Sequence, residues 1–262
     1  MPTTALLPLR LSAAAAAPSG GSGATLSTAV LEGDSVTGVG LVTRIDNLVV
    51  NDAGSWIVEA DTDNALTDTD QVMIKDGALL LREDQSLPSP TGARLDSFDA
   101  LTLNANGDSA WNFFLDGTPS TATDSGVYFN TTLVIQESHV STAAAFSPFT
   151  PYIGFFETKF NASNRILIMA SVEDPGIPSG VDRALVIAEV DGAGNLLSET
   201  VVAKESDVLP GQTEAVEDFE TGPHNFAFNA ANDVLFIADL TGPAATDGAV
   251  YLNGTLLAQE GS

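Results

Sequence analysis

Short apolar stretches separated by polar turns recur in the same order four times along the chain. The most apolar stretch of each repeat has five or six residues without a regular polar alternation. Continuous stretches of this length are typical of strands buried on both faces. They cover residues 56–60, 110–115, 166–170 and 234–238.

Two more strands are predicted around each of these stretches. A first strand precedes it at residues 45–50, 98–103, 155–160 and 224–228. A variable polar loop follows it, and then a third strand at residues 72–75, 127–129, 185–188 and 250–252. Asp76-Gly77 and Asn253-Gly254 are strong hairpin signals that lead into a fourth strand.

The fourth strand carries a glutamate at one fixed place. Five copies of this glutamate exist, at intervals of 51, 54, 68 and 55 residues: Glu32, Glu83, Glu137, Glu205 and Glu260. A recurring interval of this size indicates stacked supersecondary units. We interpret the glutamates as strand-end residues that are solvated or bind backbone N–H groups, with a ring of cation-binding carboxylates as the alternative.

An asparagine turn joins the first strand of each repeat to the second. The four turns begin at Asn51, Asn104, Asn161 and Asn229. Asn and Gly tolerate the positive φ that short hairpin turns demand, so these turns are interpreted as hinges within each repeat, with no binding chemistry of their own.

The fold class predicted by this pattern is all-β: a β-propeller or partial propeller of about four four-stranded antiparallel blades. Radial stacking buries sheets that are apolar on both faces. A β-sandwich is the alternative. The predicted units are 35–87, 88–140, 141–208 and 209–262, with 24–34 as an extra outer strand. That extra strand favours the interpretation that the chain is a segment of a larger ring. The alternative is that the strand caps an edge or closes a small ring against the last blade.

Residues 1–23 do not share the repeat pattern. A run of alanines and a Gly/Ser-rich stretch make them either a degenerate signal peptide or a low-complexity leader with a linker.

The charge balance excludes several classes of partner. Acidic residues number 35 and basic ones 9, for a net charge of −26. Nucleic acids and anionic membrane surfaces require clustered Lys and Arg, so we expect neither. No apolar stretch is long enough for membrane insertion, and the absence of cysteine excludes disulfides and thiolate ligands.

No group of residues has the spacing of a known catalytic or metal site. Asp61, Asp63, Asp68 and Asp70 form the densest acidic loop but do not match a calcium-binding loop. His139 and His224 lie in different repeats, and zinc sites need three or more ligands. The sequence therefore assigns no catalytic, cofactor-binding or metal-ligating residue, and no cofactor.

One turn resembles a named repeat motif. Asn104-Ala105-Asn106-Gly107-Asp108-Ser109-Ala110-Trp111 is similar to the N-x-x-G-x-x-A-F motif of bacterial exported tandem-repeat proteins, with Trp in place of Phe. The turn at Asn51 keeps Asn and Gly, and the later two turns replace Gly by Asn164 and Asn232. The resemblance covers roughly residues 24–262. It implies a propeller-like fold on the cell exterior and supplies no activity.

We therefore expect a non-enzymatic exported or cell-surface protein with a structural or recognition role. Glycans or surface proteins are the expected partners, bound through the variable loops. The alternative function is a polysaccharide-active enzyme, a glycoside hydrolase or lyase, with carboxylates in a central channel.

Overall fold

Four antiparallel sheets make up the protein in the computed structural model, which describes residues 27–177 and 182–261. Apart from a single 3-10 turn at Thr67–Thr69, the regular structure in these ranges is all strand. Sheet 1 contains β1 to β5, sheet 2 β6 to β9, sheet 3 β10 to β13 and sheet 4 β14 to β18. The strands are β1 Ser35–Val36, β2 Gly40–Val50, β3 Trp56–Thr62, β4 Gln71–Lys75, β5 Ala78–Arg82, β6 Arg94–Leu103, β7 Ser109–Asp116, β8 Ser125–Phe129, β9 Thr132–Gln136, β10 Tyr152–Phe160, β11 Arg165–Val172, β12 Arg183–Val190, β13 Leu196–Lys204, β14 Val216–Asp218, β15 Phe226–Phe228, β16 Val234–Leu240, β17 Gly248–Leu252 and β18 Thr255–Gln259.

Within each sheet the strands lie in chain order, so every sheet is a meander. The prediction of four antiparallel sheets with four main strands each is confirmed. In sheets 1 to 3 the first strands begin earlier than the sequence predicts and contain a β-bulge near the middle, and in sheet 4 the predicted strand 224–228 begins later, at Phe226. In sheet 4 the first strand is divided into β14 and β15, which both pair with β16, and His224 lies before β15 in a turn.

Successive sheets pack face to face through apolar side chains. We call the face turned toward the following sheet the leading face and the opposite one the trailing face. Each pair of packed sheets has its own apolar cluster. Representative contacts are Ile57 and Met73 with Trp111 and Phe113, Ala110 and Val127 with Ile166 and Ile168, and Leu167 and Met169 with Phe236 and Ala238. Burial on both faces explains why the second strands of sheets 1 to 3 are continuously apolar.

The trailing face of sheet 1 is covered in part by the segment that leads into the sheet. Val30, Val36 and Val39 join the apolar cluster of Val58 and Ile74 on this face. Among residues 27–177 and 182–261, none covers the half of the face near the Asn51 turn in this way, and Leu48 and Val50 are exposed there.

The predicted extra strand over residues 24–34 is absent from the described part of that stretch, residues 27–34. Only two backbone hydrogen bonds tie the segment to sheet 1, from Gly33 N–H to Val42 O at 2.8 Å and from Val42 N–H to Asp34 O at 2.9 Å. A third strand lies beside the fourth in each complete sheet, and the segment has no such neighbour, so its pairing stops after these two bonds.

The same pair of bonds links every sheet to the next one. The residue after each recurring glutamate has a positive φ. After the first four glutamates, the N–H of this residue bonds to the first strand of the following sheet. Examples are Asp84 to Leu95 at 2.7 Å and Ser138 to Tyr152 at 2.8 Å, each with a return bond from the strand residue. The left-handed residue thus turns the chain from the fourth strand of one sheet into the first strand of the next.

Candidate functional site

Each asparagine turn is held by the side chain of its first residue. Asn51 Oδ1 accepts hydrogen bonds from the backbone N–H groups of Ala53 at 3.1 Å and Ser55 at 2.9 Å. The turns at Asn104, Asn161 and Asn229 repeat this pattern two and four residues on. The side-chain oxygen therefore satisfies two backbone donors, as in other Asx turns.

The side-chain amide of the same asparagine reaches the neighbouring turn. Asn51 Nδ2 donates to the carbonyl of Asn104 at 2.8 Å, Asn104 Nδ2 to that of Asn161 at 3.4 Å, and Asn161 Nδ2 to that of Asn229 at 3.1 Å. We call this series the asparagine ladder. The turns are thus contacts between sheets as well as hinges within them, which extends the sequence-based interpretation.

All four turns line one small cleft of about 220 Å³. Its wall includes Asn51, Asn104 and Asn161 with Ala230 of the fourth turn. The first strands of successive sheets also contact one another, β2 with β6, β6 with β10 and β10 with β15. The first strands and their turns therefore gather at one place, where carboxylates from different sheets come near one another.

Three carboxylates lie on the strands beside this convergence. Glu59 on β3 pairs with Asn47, Asp99 lies in the bulge of β6, and Glu157 is next to the bulge of β10. Burial raises the pKa of Glu59 to about 7, and the charges of Asp46, Asp61 and Asp99 add to the rise while Arg44 opposes it. Burial likewise raises the pKa of Asp99 and of Glu157.

Some neighbouring side chains form hydrogen bonds or ion pairs with these carboxylates, and some buried polar atoms beside them have no partner. Asn112 Nδ2 donates to Asp99 Oδ2 at 2.7 Å and to the carbonyl of Phe155, in the next sheet, at 3.0 Å. Lys159 Nζ lies 3.7 Å from Glu157 Oε2 and 5.3 Å from the centre of the Phe226 ring. The buried oxygens Asn112 Oδ1 and Glu157 Oε2 have no hydrogen-bond partner. The arrangement places three carboxylates with raised pKa values in a polar centre inside an otherwise apolar stack.

The recurring glutamates cap the third strand of their own sheet. A carboxylate oxygen accepts the first N–H of that strand from Gln71 at 3.0 Å, from Ser125 at 3.1 Å and from Arg183 at 2.8 Å. These acceptors are Glu83, Glu137 and Glu205. In sheet 4 the Glu260 carboxyl packs on Gly248, and Glu32 lies in the exposed turn before sheet 1. The backbone-binding interpretation therefore fits three copies.

Two acidic clefts open between neighbouring sheets beside these caps. One of about 480 Å³ lies between sheets 1 and 2 and includes Glu83, Asp96 and Asp116. The other, of about 420 Å³, lies between sheets 3 and 4 and includes Glu205, Asp218, Asp239 and Asp247 around Arg183. Burial and the adjacent Asp218 raise the pKa of Glu205 to about 7, although the backbone hydrogen bond from Arg183 and the charge of Arg183 lower it. Both clefts occupy the end of the sheets opposite the asparagine turns.

The acidic loop predicted from Asp61 to Asp70 is spread over separate contacts. Asp61 lies 3.6 Å from Arg44, Asp63 Oδ1 accepts the N–H of Leu41 at 3.0 Å, and Asp68 is exposed in the 3-10 turn. Within residues 27–177 and 182–261, no group of three or more His, Cys, Asp or Glu side chains could hold a metal ion.

One histidine belongs to a buried network that the sequence does not reveal. Glu199 accepts hydrogen bonds from the hydroxyl groups of Tyr152 at 2.6 Å and Ser141 at 3.1 Å. The backbone N–H and the hydroxyl of Thr142 each donate to it at 2.8 Å, and His139 Nε2 lies 3.8 Å away. Burial alone would raise the pKa of Glu199, but His139, Tyr152 and Thr142 together lower it to about 2. The network fixes the 141–150 loop onto β13. His224 is exposed in its turn.

Sequence reasoning missed Glu59, Asp99, Glu157 and Glu199 because it weighed only recurring or clustered acids. A usable signal exists for Glu59, which interrupts the apolar segment Trp56-Ile57-Val58-Glu59-Ala60. A lone acid inside a strand buried on both faces requires a polar neighbour, because an isolated buried charge is costly.

Comparison with known proteins places the chain in a family. The model of DUF7453, a family of unknown function, matches residues 13–260, so the chain belongs to this family. No curated protein matches the chain. Over the described ranges no helix has the length and apolar character needed to cross a membrane.

Proposed function

We propose that this member of the DUF7453 family is a non-enzymatic, exported repeat protein whose sheets stack radially as propeller blades and whose loops recognise a partner. The observation that carries the proposal is the asparagine ladder. Its rungs connect the turns of four successive sheets around one cleft. Radially arranged sheets bring their first strands together in this way, whereas two stacked sheets of a sandwich would not.

The loops that would meet a partner lie at the end of the sheets opposite the ladder. Antiparallel meanders place the connections between second and third strands there, together with the connections from one sheet to the next. The loops between second and third strands differ in sequence, for example 63–70 and 117–124, and the connections between sheets differ in length, for example 83–93 and 137–151. Variable loops on a fixed scaffold are the usual place for binding.

The acidic clefts at this end indicate the chemistry of the partner. Carboxylates accept hydrogen bonds from hydroxyl groups and attract cations, and they repel anions. The clefts therefore suit a neutral glycan or a basic surface protein, and an anionic partner is disfavoured.

Binding of the full chain to an array of neutral glycans and to basic cell-surface proteins tests the proposal. The cleft variant Asp239→Lys with Asp247→Lys is compared with Asp52→Lys, which places the same kind of charge in a turn of the ladder end. We expect binding by the native chain and by Asp52→Lys, and a loss of at least tenfold in affinity for the cleft variant. Equal binding by all three proteins would contradict the role of the cleft, and the absence of any binding would contradict the recognition role.

A second candidate function is a polysaccharide-active enzyme. Raised carboxylate pKa values on three different sheets, at Glu59, Asp99 and Glu157, favour it because general acids need a proton near neutral pH. Release of reducing ends or of unsaturated sugars from a polysaccharide panel tests it. An enzyme would lose this release on Glu59→Gln or Glu157→Gln, and no release by the native chain would exclude it for that panel.

A further inference from the structure

The leading face of sheet 4 is apolar and exposed. Leu235 and Ile237 on β16, Leu252 on β17 and Leu257 on β18 point outward, and their exposed fractions range from 36% to 56%. The register joins them into one patch, since Leu235 pairs with Leu252 and Ile237 with Val250.

The same positions are buried in sheet 3. Leu167 and Met169 occupy the places of Leu235 and Ile237 in the second strand, and Leu185 that of Val250 in the third. They are at most 1% exposed because sheet 4 covers them with Phe236, Ala238 and their neighbours. The leading face of sheet 4 thus repeats the pattern of a packed interface, without a sheet on it in the described residues.

The complementary surface is the uncovered half of the trailing face of sheet 1. Leu48 and Val50 are 66% and 64% exposed. Phe226 occupies the place of Leu48 in sheet 4, and there it is buried against sheet 3. Val58 and Ala60, which occupy the places of Phe236 and Ala238, are already covered by the lead-in segment. Sheet 1 therefore offers the part nearest the asparagine turns of the surface that a trailing face uses inside the chain.

The asparagine ladder has matching ends on these two sheets. Asn229 Nδ2 donates to Asp233 of its own exposed turn at 3.0 Å, instead of to a following turn. The carbonyl of Asn51 accepts the turn bond from Gly54 at 3.0 Å and, in the part of the chain that the structure describes, no amide from a preceding turn. One end of the ladder supplies a donor and the other an acceptor.

We propose that two copies of this chain associate head to tail, with the leading face of sheet 4 in one copy packed on the trailing face of sheet 1 in the other. The contact continues the sheet-to-sheet packing seen three times within the chain, and Asn229 of one copy donates to the Asn51 carbonyl of the next. Such a heterologous contact closes into a ring or extends into a filament. The net charge of −26 on each copy opposes it, so salt strengthens the association.

Analytical ultracentrifugation of the full chain at about 0.05 M and about 1 M NaCl tests the proposal. Two variants each remove one of the two surfaces. The head variant, Leu48→Glu with Val50→Glu, changes the trailing face of sheet 1. The tail variant, Leu235→Glu with Leu252→Glu, changes the leading face of sheet 4. The control Phe149→Glu with Leu197→Glu removes two exposed apolar residues that lie elsewhere. Thermal melting shows whether each variant is folded.

We expect salt-strengthened oligomers of the native chain and the control, and monomers for the head and tail variants alone. An equimolar mixture of head and tail variants keeps one intact surface on each and should form dimers that grow no further. A native chain that stays monomeric at high salt would overturn the proposal. Assembly of a folded head variant on its own would also contradict the proposal, because the contact would then join two tail surfaces. Loss of assembly in the control would contradict it as well.

Discussion

The side chain of Asn51 hydrogen-bonds across a sheet boundary to the backbone carbonyl of Asn104, with Nδ2 and O separated by 2.8 Å. The same side chain also accepts two bonds within its own turn. One residue therefore fixes both the shape of a hairpin and the position of the next sheet.

Replacement of this asparagine should weaken the boundary between sheets 1 and 2. Asn51→Ala loses both turn bonds and the bond to Asn104, whereas Asn229→Ala loses the equivalent turn bonds and only an exposed bond to Asp233. We expect Asn51→Ala to reduce the free energy of unfolding by about 1 kcal/mol more than Asn229→Ala. Urea titrations measure the difference, and equal losses would show that the inter-sheet bond contributes nothing.

Two glycines of one turn should respond differently to the same substitution. A Cβ on Gly194 would lie 2.9 Å from Thr132 and 3.0 Å from Phe129, in the neighbouring sheet, and its φ is +87°. Gly192 has nothing within 4 Å and no positive φ. We expect Gly194→Ala to lower the free energy of unfolding by about 2 kcal/mol, from strain and overpacking, and Gly192→Ala to change it by less than about 0.5 kcal/mol. Similar values in denaturant titrations would contradict the close approach of the two sheets.

Protonation of Glu59 should make the fold more stable in mild acid. Its pKa rises from 4.5 in the unfolded chain to about 7 in the fold, so the folded state binds more protons between these values. Stability therefore falls as pH rises through this window, by up to about 3 kcal/mol. Glu59→Gln should unfold at a higher temperature than the native chain at pH 8 and at a similar temperature at pH 4. A native chain that unfolds at a higher temperature than Glu59→Gln at pH 8 would contradict the raised pKa of Glu59.

The opposite dependence is expected at Glu199. Its pKa falls from 4.5 to about 2 in the fold, so its stabilising bonds are present above pH 4.5 and are lost as pH falls toward 2. Glu199→Gln should reduce the free energy of unfolding by about 2–3 kcal/mol at pH 7 and by much less near pH 3. Calorimetry at both pH values gives the two differences, and a loss that stays constant with pH would point to packing alone.

Local patterns predict the sheets well because their causes are local. The second strands of sheets 1 to 3 are continuously apolar because both of their faces are packed. The turn at Asn51 needs only its own side chain. The stretch 24–34 shares the apolar and glutamate pattern of a fourth strand, but its described part, residues 27–34, has no third strand beside it and is not a strand, so for these residues the pattern alone is wrong.

Features that depend on contacts between repeats were out of reach. The bond from Asn51 to Asn104 and the repulsion between Glu59 and Asp99 require the relative placement of sheets. Glu199 belongs to an outer strand, and nothing in its sequence neighbourhood shows that Tyr152, far earlier in the chain, donates to it.

The left-handed residue after each recurring glutamate has a consequence for how the chain acquires its structure. It ties the last strand of one sheet to a strand only a short distance further along, as from Asp84 to Leu95. Each sheet and its attachment to the next therefore involve contacts of low sequence separation, which form quickly. The protein can assemble sheet by sheet from its N-terminal side as it is synthesised, and duplication of a whole unit would lengthen the stack without disturbing the units already in place.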